Sequence, residues 1–193
     1  MVRPTTDKQW RVMKRHEEIF ARYGGLVNVS VRANLVLGSD GATTLNGSSA
    51  ALSSAKDRNR FHAMRAEFDV IVIGGKTAIT EPYQKTPIPL VVVSRNLLIP
   101  ESLTTNPILF WWQISPAAAI AKCLAEFGNR VLIEGGPNFL IAALPEITEF
   151  AITRTKISGG ENKVDLTKLL SEFTLVSEEV LPDEIFQIFK RVN

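Results

Sequence analysis

Two glycine-rich turns each follow an apolar run that is typical of a buried parallel strand. Gly74-Gly75 ends the run from Asp69 to Ile73, and Glu134-Gly135-Gly136-Pro137 follows the run from Arg130 to Ile133. Glycine lets a ligand approach the backbone closely, and the amides that open a helix favour a phosphate. Each turn by itself could equally be a tight structural turn. Because open α/β sheets bind ligands at the carboxyl ends of their strands, the two turns together predict a dinucleotide that spans both.

A third candidate lies at the end of another apolar run, Ile88 to Val93, where Ser94 and Arg95 follow directly. Serine and arginine side chains suit a phosphate monoester, such as the 2′-phosphate that distinguishes NADPH from NADH. A solvated loop charge is the commoner explanation of such a pair. Both interpretations stay open on the residues alone.

Two arginines provide a possible second anion site. Arg58 and Arg65 are seven residues apart in a segment that reads as a helix, so they share one face. They could bind a substrate phosphate or face water, and the residue type slightly favours water. Asp40-Gly41, in the polar loop that precedes this helix, could be a binding element or only a turn.

Several kinds of site are excluded by motif. A phosphate-binding loop of nucleoside triphosphatases needs a glycine where this chain has Val70, five residues before Gly75. The zinc deaminase signature needs H-x-E and P-C-x-x-C, whereas His62 is followed by Ala-Met. No G-x-S-x-G nucleophile elbow occurs in the sequence.

Composition narrows the protein class further. The 193 residues contain one cysteine, Cys123, and two histidines, His16 and His62, so we expect neither an internal disulfide nor a metal site. A net charge of +2 is too small to indicate a nucleic-acid surface. No apolar run is long enough for a membrane helix, and the first residues lack a signal-peptide core. We expect a cytoplasmic protein without nucleic-acid or membrane partners.

The elements that must position these residues alternate between strands and helices, which predicts an α/β fold around a mainly parallel mixed sheet. We expect one domain over residues 1–193, with residues 1–24 as an N-terminal helical extension whose helix runs from 7 to 22. Near the C-terminus, the turn at Leu181-Pro182-Asp183-Glu184 predicts a closing antiparallel hairpin. The expected strands are 26–37, 69–73, 88–93, 108–112, 130–133, 150–157, 173–180 and 185–192. The expected helices are 55–66, 116–127 and 139–144.

The same residues, taken in order, resemble a known family. The motifs are VRANLVLGSDGATT, NGSS, DRNRFHAMRAEFDVIVIGGKTAITEPY, VVVSRN and VLIEGGPNFL, which fall between about residues 29 and 160. They resemble the pyrimidine reductases of riboflavin biosynthesis, and among these the stand-alone actinobacterial branch. Any one motif is common, but five in the same order are specific. The resemblance implies a three-layer fold of the dihydrofolate reductase type.

The family resemblance also implies an activity and a set of site residues. In such enzymes NADPH reduces the ribosyl C1 of an aminopyrimidine ribosylamino 5′-phosphate to the ribityl product, and a homodimer is implied. The implied cofactor-binding residues are Gly74, Gly75, Thr77, Glu81, Ser94, Arg95, Gly135, Gly136, Pro137 and Asn138, with Ser94 and Arg95 at the 2′-phosphate and residues 135–138 at the pyrophosphate. The implied substrate-binding residues are Asn34, Ser49 and Arg65, with Arg65 at the substrate phosphate. The candidate catalytic residues are Asp40 and Glu134.

The sequence departs from the family pattern at several positions. Lys76 stands where the glycine turn usually has a small residue, and the loop 82–87 is short and lacks the arginine expected there, although Lys85 could substitute. Ala51 replaces a tryptophan, and the proline that usually precedes Gly159-Gly160 is missing. Two alternatives therefore remain: a nucleotide-binding protein that does not catalyse, and a reductase of a pterin-like or dihydrofolate-like substrate.

Overall fold

The computed structural model describes residues 28–95 and 99–192, so the helix expected over residues 7–22 lies outside the described part. The strands are β1 (Ser30–Leu37), β2 (Val70–Gly74), β3 (Leu90–Val93), β4 (Leu109–Trp112), β5 (Arg130–Ile133), β6 (Glu149–Thr155), β7 (Phe173–Val180) and β8 (Glu184–Arg191). The helices are α1 (Ala55–Arg65), α2 (Gly75–Thr80), α3 (Pro116–Glu126), α4 (Pro137–Ala143) and α5 (Leu166–Leu169). Short 3-10 turns occur at Glu101–Leu103 and Leu144–Glu146.

The described strands form one eight-stranded sheet in the order β4-β3-β2-β5-β1-β6-β8-β7. The pairs from β4 to β6 are parallel, whereas β8 pairs antiparallel with both β6 and β7. Leu181 N donates to Glu184 O at 2.9 Å and closes the turn between β7 and β8. The prediction of a mainly parallel mixed sheet with an antiparallel C-terminal hairpin is confirmed. None of the helices in residues 28–95 and 99–192 is long and apolar enough to cross a membrane.

Helices cover both faces of the sheet, because the central strands are apolar on both sides. On one face Val31, Ala33 and Val72 pack into a buried cluster that includes Ile120 of α3 and Leu140 of α4. On the other face the buried residues of β2, β3 and β5 pack against α1 and α2, as shown by Ile71, Ile73, Leu132, Met64 and Ala78. Runs of apolar residues without alternation are the pattern of such doubly covered strands.

Two local differences from the predicted elements have physical causes. The segment Gly75–Thr80 forms α2, although the sequence predicts only a turn there. Six residues that begin with glycine give neither helix propensity nor a clear apolar period, so tertiary packing of Ala78 decides the outcome. The first strand begins at Ser30, since Asn28 has a left-handed φ of 60° that a strand does not tolerate. Helix α1 begins as predicted, with Ser54 Oγ accepting from Asp57 N at its N-terminus.

Candidate functional site

A cavity of about 410 Å³ opens at the carboxyl ends of β1, β2 and β5, within the size range of small-molecule sites. Both glycine turns reach it, as the sequence predicts. Of the predicted site residues, these line the cavity: Asn34, Ser49, Arg65, Gly74, Thr77, Glu81, Glu134, Gly135, Gly136, Pro137 and Asn138. The other four predicted residues, Asp40, Gly75, Ser94 and Arg95, do not line it.

The centre of the cavity wall is a buried cluster of three polar side chains. Arg65 donates from Nε to Oε1 of Glu134 at 2.9 Å and from Nη2 to Oε2 at 2.6 Å. The Tyr83 hydroxyl donates to the same Oε2 at 2.8 Å, and its ring lies 5.2 Å from the Arg65 guanidinium. Three donors therefore fix the Glu134 carboxylate at the end of β5, and the alternative that Arg65 faces water is wrong because only 6% of the residue is exposed.

Electrostatics keep two members of this cluster protonated. Burial raises the pKa of the Tyr83 phenol well above its ordinary value, and the negative charge of Glu134 adds to the effect. Burial alone would lower the pKa of Arg65, but the hydrogen bonds and charge of Glu134 outweigh it, so the pKa of the guanidinium is raised. The cluster is thus a carboxylate held between a permanent cation and a neutral phenol. Tyr83 is a site residue that the sequence reasoning missed, and its only signal is its position just after Glu81.

A second carboxylate, Glu81, connects α2 to the loop that follows β1. It accepts hydrogen bonds from the backbone N of Ser49 at 2.7 Å and from Ser48 Oγ at 3.2 Å. Both residues are far from Glu81 in the chain, so the carboxylate fixes this loop at the wall of the cavity. Its oxygens are used by protein donors, which makes Glu81 a structural part of the site.

A third carboxylate, Asp57, lies in the first turn of α1 and lines the same cavity. It accepts from Ser53 Oγ and from Thr153 Oγ1, each at 2.5 Å. Asp57 was not predicted as a site residue, because a single acidic residue in a first helical turn reads as ordinary helix capping. Its bonds attach the start of α1 to β6.

Asp40 lies outside the cavity. It pairs with Lys163 Nζ at 3.0 Å and accepts from Gly159 N at 3.1 Å, which ties the loop after β1 to the loop after β6. The hydrogen bond from Lys163 is the main cause that lowers the pKa of this carboxyl. These contacts make Asp40 a loop-fixing residue, and it is not among the residues that line the cavity.

Ser94 and Arg95 lie beside the first glycine turn. A Cβ added to Gly75 would stand 2.5 Å from Ser94 Oγ, so glycine is required for the ends of β2 and β3 to approach each other. Arg95 is exposed, and its carbonyl accepts from Gln113 Nε2 at 2.7 Å. Its guanidinium forms no ion pair with any residue in the described ranges.

Packing explains two of the glycines, and a third is left without a packing reason. Phe139 stands between the two turns, since a Cβ at Gly74 or Gly135 would meet its ring at 3.3 Å and 3.0 Å. A Cβ at Gly136 would meet nothing within 4 Å. Gly136 also precedes α4 without a side-chain cap on the first helical amides. This is open, uncapped backbone, which fits a phosphate group of a dinucleotide.

Among residues 28–95 and 99–192, no group of three or more histidine, cysteine, aspartate or glutamate side chains could hold a metal ion. Comparison with known families gives a match to the model described as the RibD C-terminal domain, over residues 30–173. The resemblance stated from the sequence motifs is confirmed by this match. A search of curated proteins gives no match.

Solved structures of similar fold agree with that match. A Thermotoga maritima diaminohydroxyphosphoribosylaminopyrimidine deaminase/5-amino-6-(5-phosphoribosylamino)uracil reductase superimposes with a TM-score of 0.65 at 14% identity, over 85% of this chain and 57% of that one. A pyrimidine reductase-like protein from Corynebacterium diphtheriae superimposes with a TM-score of 0.65 at 18% identity, over 90% and 98% of the two chains. Dihydrofolate reductase from Enterococcus faecalis, complexed with NADP(H), gives 0.64 at 13% identity, over 85% and 97%. The predicted dihydrofolate reductase type of fold is confirmed, and the chain spans little more than half of the Thermotoga protein.

Proposed function

The chain belongs to the family of RibD C-terminal domains, and from this premise we propose that it is an NADPH-dependent reductase of riboflavin biosynthesis. Its proposed substrate is a ribosylaminopyrimidine 5′-phosphate. When bound, NADPH would supply the hydride that reduces ribosyl C1 to the ribityl product. The observation that carries the proposal is that both glycine turns and the Arg65–Glu134 pair line one and the same cavity.

The proposed cofactor side is the wall formed by the two glycine turns. The open backbone at Gly136 would receive the pyrophosphate, with Pro137 and Asn138 beside it, while Gly74 and Thr77 would border the rest of the cofactor. The close approach of Gly75 and Ser94 brings the end of β3 next to the first turn. Arg95, which forms no ion pair among the described residues, is therefore our candidate for the 2′-phosphate. The cofactor carries the difficult chemistry, and these residues bind and orient it.

The proposed substrate side is the wall formed by β1, α1 and the end of β5. Asn34 and Ser49 line this wall, and Glu134 presents a carboxylate whose position three donors fix. Among the described residues Oε1 of Glu134 accepts only from Arg65 Nε, so it keeps a lone pair that would accept a hydrogen bond from the substrate beside ribosyl C1. We assign this role to Glu134. Asp40 is proposed as a positioning residue that acts through the loop it shares with Gly159.

Two alternative functions can be distinguished from the proposed one by measuring turnover. Lys76 lines the cavity where a small residue is usual in the family, which favours a protein that binds nucleotide without catalysis. The likeness to a dihydrofolate reductase favours a pterin-like substrate. NADPH oxidation in the presence of a panel of aminopyrimidine phosphates and pterins separates these functions from the proposed one.

The first test is nucleotide binding. We expect NADPH to raise the unfolding midpoint more than NADH does, with about 2.7 kcal/mol of added stability at one hundred times Kd. Arg95→Ala should abolish the preference for NADPH, whereas Arg154→Ala, which removes an exposed arginine of β6, should leave it intact. No stabilisation by either nucleotide would overturn the proposal. We also propose that the protein is cytoplasmic and forms a homodimer. Light scattering of the purified chain measures its molar mass and so tests the dimer.

A further inference from the structure

Resting on this proposed function, we propose that Arg58 and His62 of α1 bind the phosphate of the substrate, and that Arg65 instead holds Glu134. Both Arg58 and His62 line the cavity, one helical turn apart on the same face. The family resemblance implies a phosphate contact for Arg65 alone. The arrangement of charges around the cavity favours the other two residues.

The carboxylates that line the cavity are already bound by protein donors. Asp57 accepts from Ser53 and Thr153, and Glu81 accepts from Ser48 and the backbone of Ser49. Neither acid forms an ion pair with an arginine, lysine or histidine of the cavity wall among the described residues.

The remaining carboxylate, Glu134, neutralises Arg65. Two of the five guanidinium donors of Arg65 bind Glu134, and the aromatic rings of Phe61 and Tyr83 lie 4.1 Å and 5.2 Å from its central carbon. A phosphate that approached Arg65 would have to compete with a carboxylate that is buried with it. The cost of leaving that carboxylate unpaired makes such an exchange unfavourable.

Among the described residues, Arg58 has no carboxylate partner. Its Nη1 donates to Ser53 O at 2.7 Å, and it pairs with no carboxylate in the part of the chain that the structure describes. The bond to Ser53 orients the guanidinium and leaves four N–H donors for a ligand. A guanidinium with unused donors matches the bidentate geometry of a phosphate.

His62 adds a second donor on the same face. Its ring packs edge-on against Phe61, with the centroids 5.6 Å apart, so the imidazole is positioned at the cavity wall while remaining exposed. Lys76 also lines the cavity without a carboxylate partner among the described residues, but it lies on α2 beside the first glycine turn. We therefore assign Lys76 to the cofactor side and the pair on α1 to the substrate side.

The anion that this pair recognises could be carried by two kinds of substrate. A ribosyl substrate ends in a phosphate monoester, whereas a folate-like substrate ends in glutamate carboxylates. A dianionic phosphate satisfies a guanidinium and an imidazole together, and this is the occupant we propose.

The test titrates the whole chain, saturated with NADPH or free of it, with three probes: ribose 5-phosphate, ribose and 4-aminobenzoylglutamate. We expect calorimetry to detect ribose 5-phosphate only. Arg58→Gln and His62→Gln should each weaken that binding at least tenfold. Lys56→Gln is the matched control, since it removes a positive charge from the same helix at an exposed position that does not line the cavity.

If the enzyme turns over a phosphorylated substrate, KM values provide a second test of the Arg58 contact. Arg58→Gln should raise the KM for the phosphorylated substrate tenfold or more and leave the KM for NADPH unchanged. The inference is overturned if ribose 5-phosphate does not bind, if neither substitution weakens it, or if 4-aminobenzoylglutamate binds in its place. If ribose 5-phosphate binds through Arg58 but NADPH does not bind, the phosphate site stands and the proposed reductase function fails.

Discussion

Arg65 donates hydrogen bonds to both carboxylate oxygens of Glu134, from Nε at 2.9 Å and from Nη2 at 2.6 Å. The pair joins the last residue of α1 to the residue that follows β5, across 69 positions of sequence. The two side chains are only 7% and 4% exposed. One ion pair therefore connects the helix on the substrate side to the strand that leads into the second glycine turn.

Removing one member of this pair should be costly for the fold. Arg65→Ala leaves the Glu134 carboxylate buried without its cation, and we expect a loss of about 3–5 kcal/mol in the free energy of unfolding. Urea denaturation measures the loss. The double variant Arg65→Met/Glu134→Leu removes both charges and should recover most of the stability. A single variant as stable as the wild type would contradict the strength we assign to the pair.

The parallel core was predictable from the sequence because β2, β3 and β5 are uninterrupted apolar runs followed by glycine or polar residues. The convergence of both glycine turns on one cavity was predictable for the same reason, since parallel strands end at one edge of a sheet. The Tyr83 contact was not predictable. It depends on how α2 turns the chain back towards Glu134, and a six-residue helix leaves too little periodic signal to reveal that turn.

The ion pair that Arg65 forms with Glu134 was equally unpredictable from the sequence. Its spacing from Arg58 places both on one helix face, but spacing does not tell which of the two meets a buried carboxylate. That outcome depends on Glu134, 69 residues away, and on the depth at which the end of α1 lies in the fold. The sequence therefore identified residues that line the site, but not which of its two arginines is paired with a buried carboxylate.

Tyr83→Phe should change how stability depends on pH. Because burial and Glu134 raise the pKa of the folded phenol well above 10.0, its contribution is complete below pH 10. Above that pH the unfolded chain loses the proton first, so the contribution declines by about 1.4 kcal/mol per pH unit until the folded pKa is reached. At pH 8 the variant should be about 1.5–3 kcal/mol less stable, since a hydrogen bond to a carboxylate is lost.

The measurement is urea unfolding of the wild type and of Tyr83→Phe at pH 8, 10 and 11. The stability difference between the two proteins should shrink from pH 10 to pH 11. A difference that stays constant over this range would show that the phenol ionises as freely in the folded protein as in the unfolded chain.

Glu81→Ala should loosen the loop after β1 without unfolding the protein. The carboxylate is the acceptor for Ser49 N at 2.7 Å and for Ser48 Oγ at 3.2 Å, so its removal frees Ser48 and Ser49 from the end of α2. Amide hydrogen exchange should become faster at Ser49. Glu81→Gln is the control, because its amide oxygen can still accept from Ser49 N. Equal exchange in both variants would mean that charge, not the acceptor position, holds the loop.

Substitutions at Gly75 and Gly136 distinguish a glycine required by packing from one required only for ligand binding. Gly75→Ala brings a Cβ to within 2.5 Å of Ser94 Oγ, so we expect a loss of about 1–3 kcal/mol in stability. Gly136→Ala meets no atom within 4 Å, and the φ of −71° at this position suits any residue. Its stability should stay within about 0.5 kcal/mol of the wild type.

Nucleotide binding, measured on the folded protein, should single out Gly136→Ala, the variant that keeps its stability. The proposed pyrophosphate position leaves no room for a methyl group over Gly136, so Gly136→Ala should raise the Kd for NADPH tenfold or more while the protein remains as stable as the wild type. A stable Gly136→Ala that binds NADPH with unchanged Kd would place the pyrophosphate elsewhere. The glycine that packing does not require is therefore the one whose substitution reports on the ligand, because its effect cannot be attributed to a damaged fold.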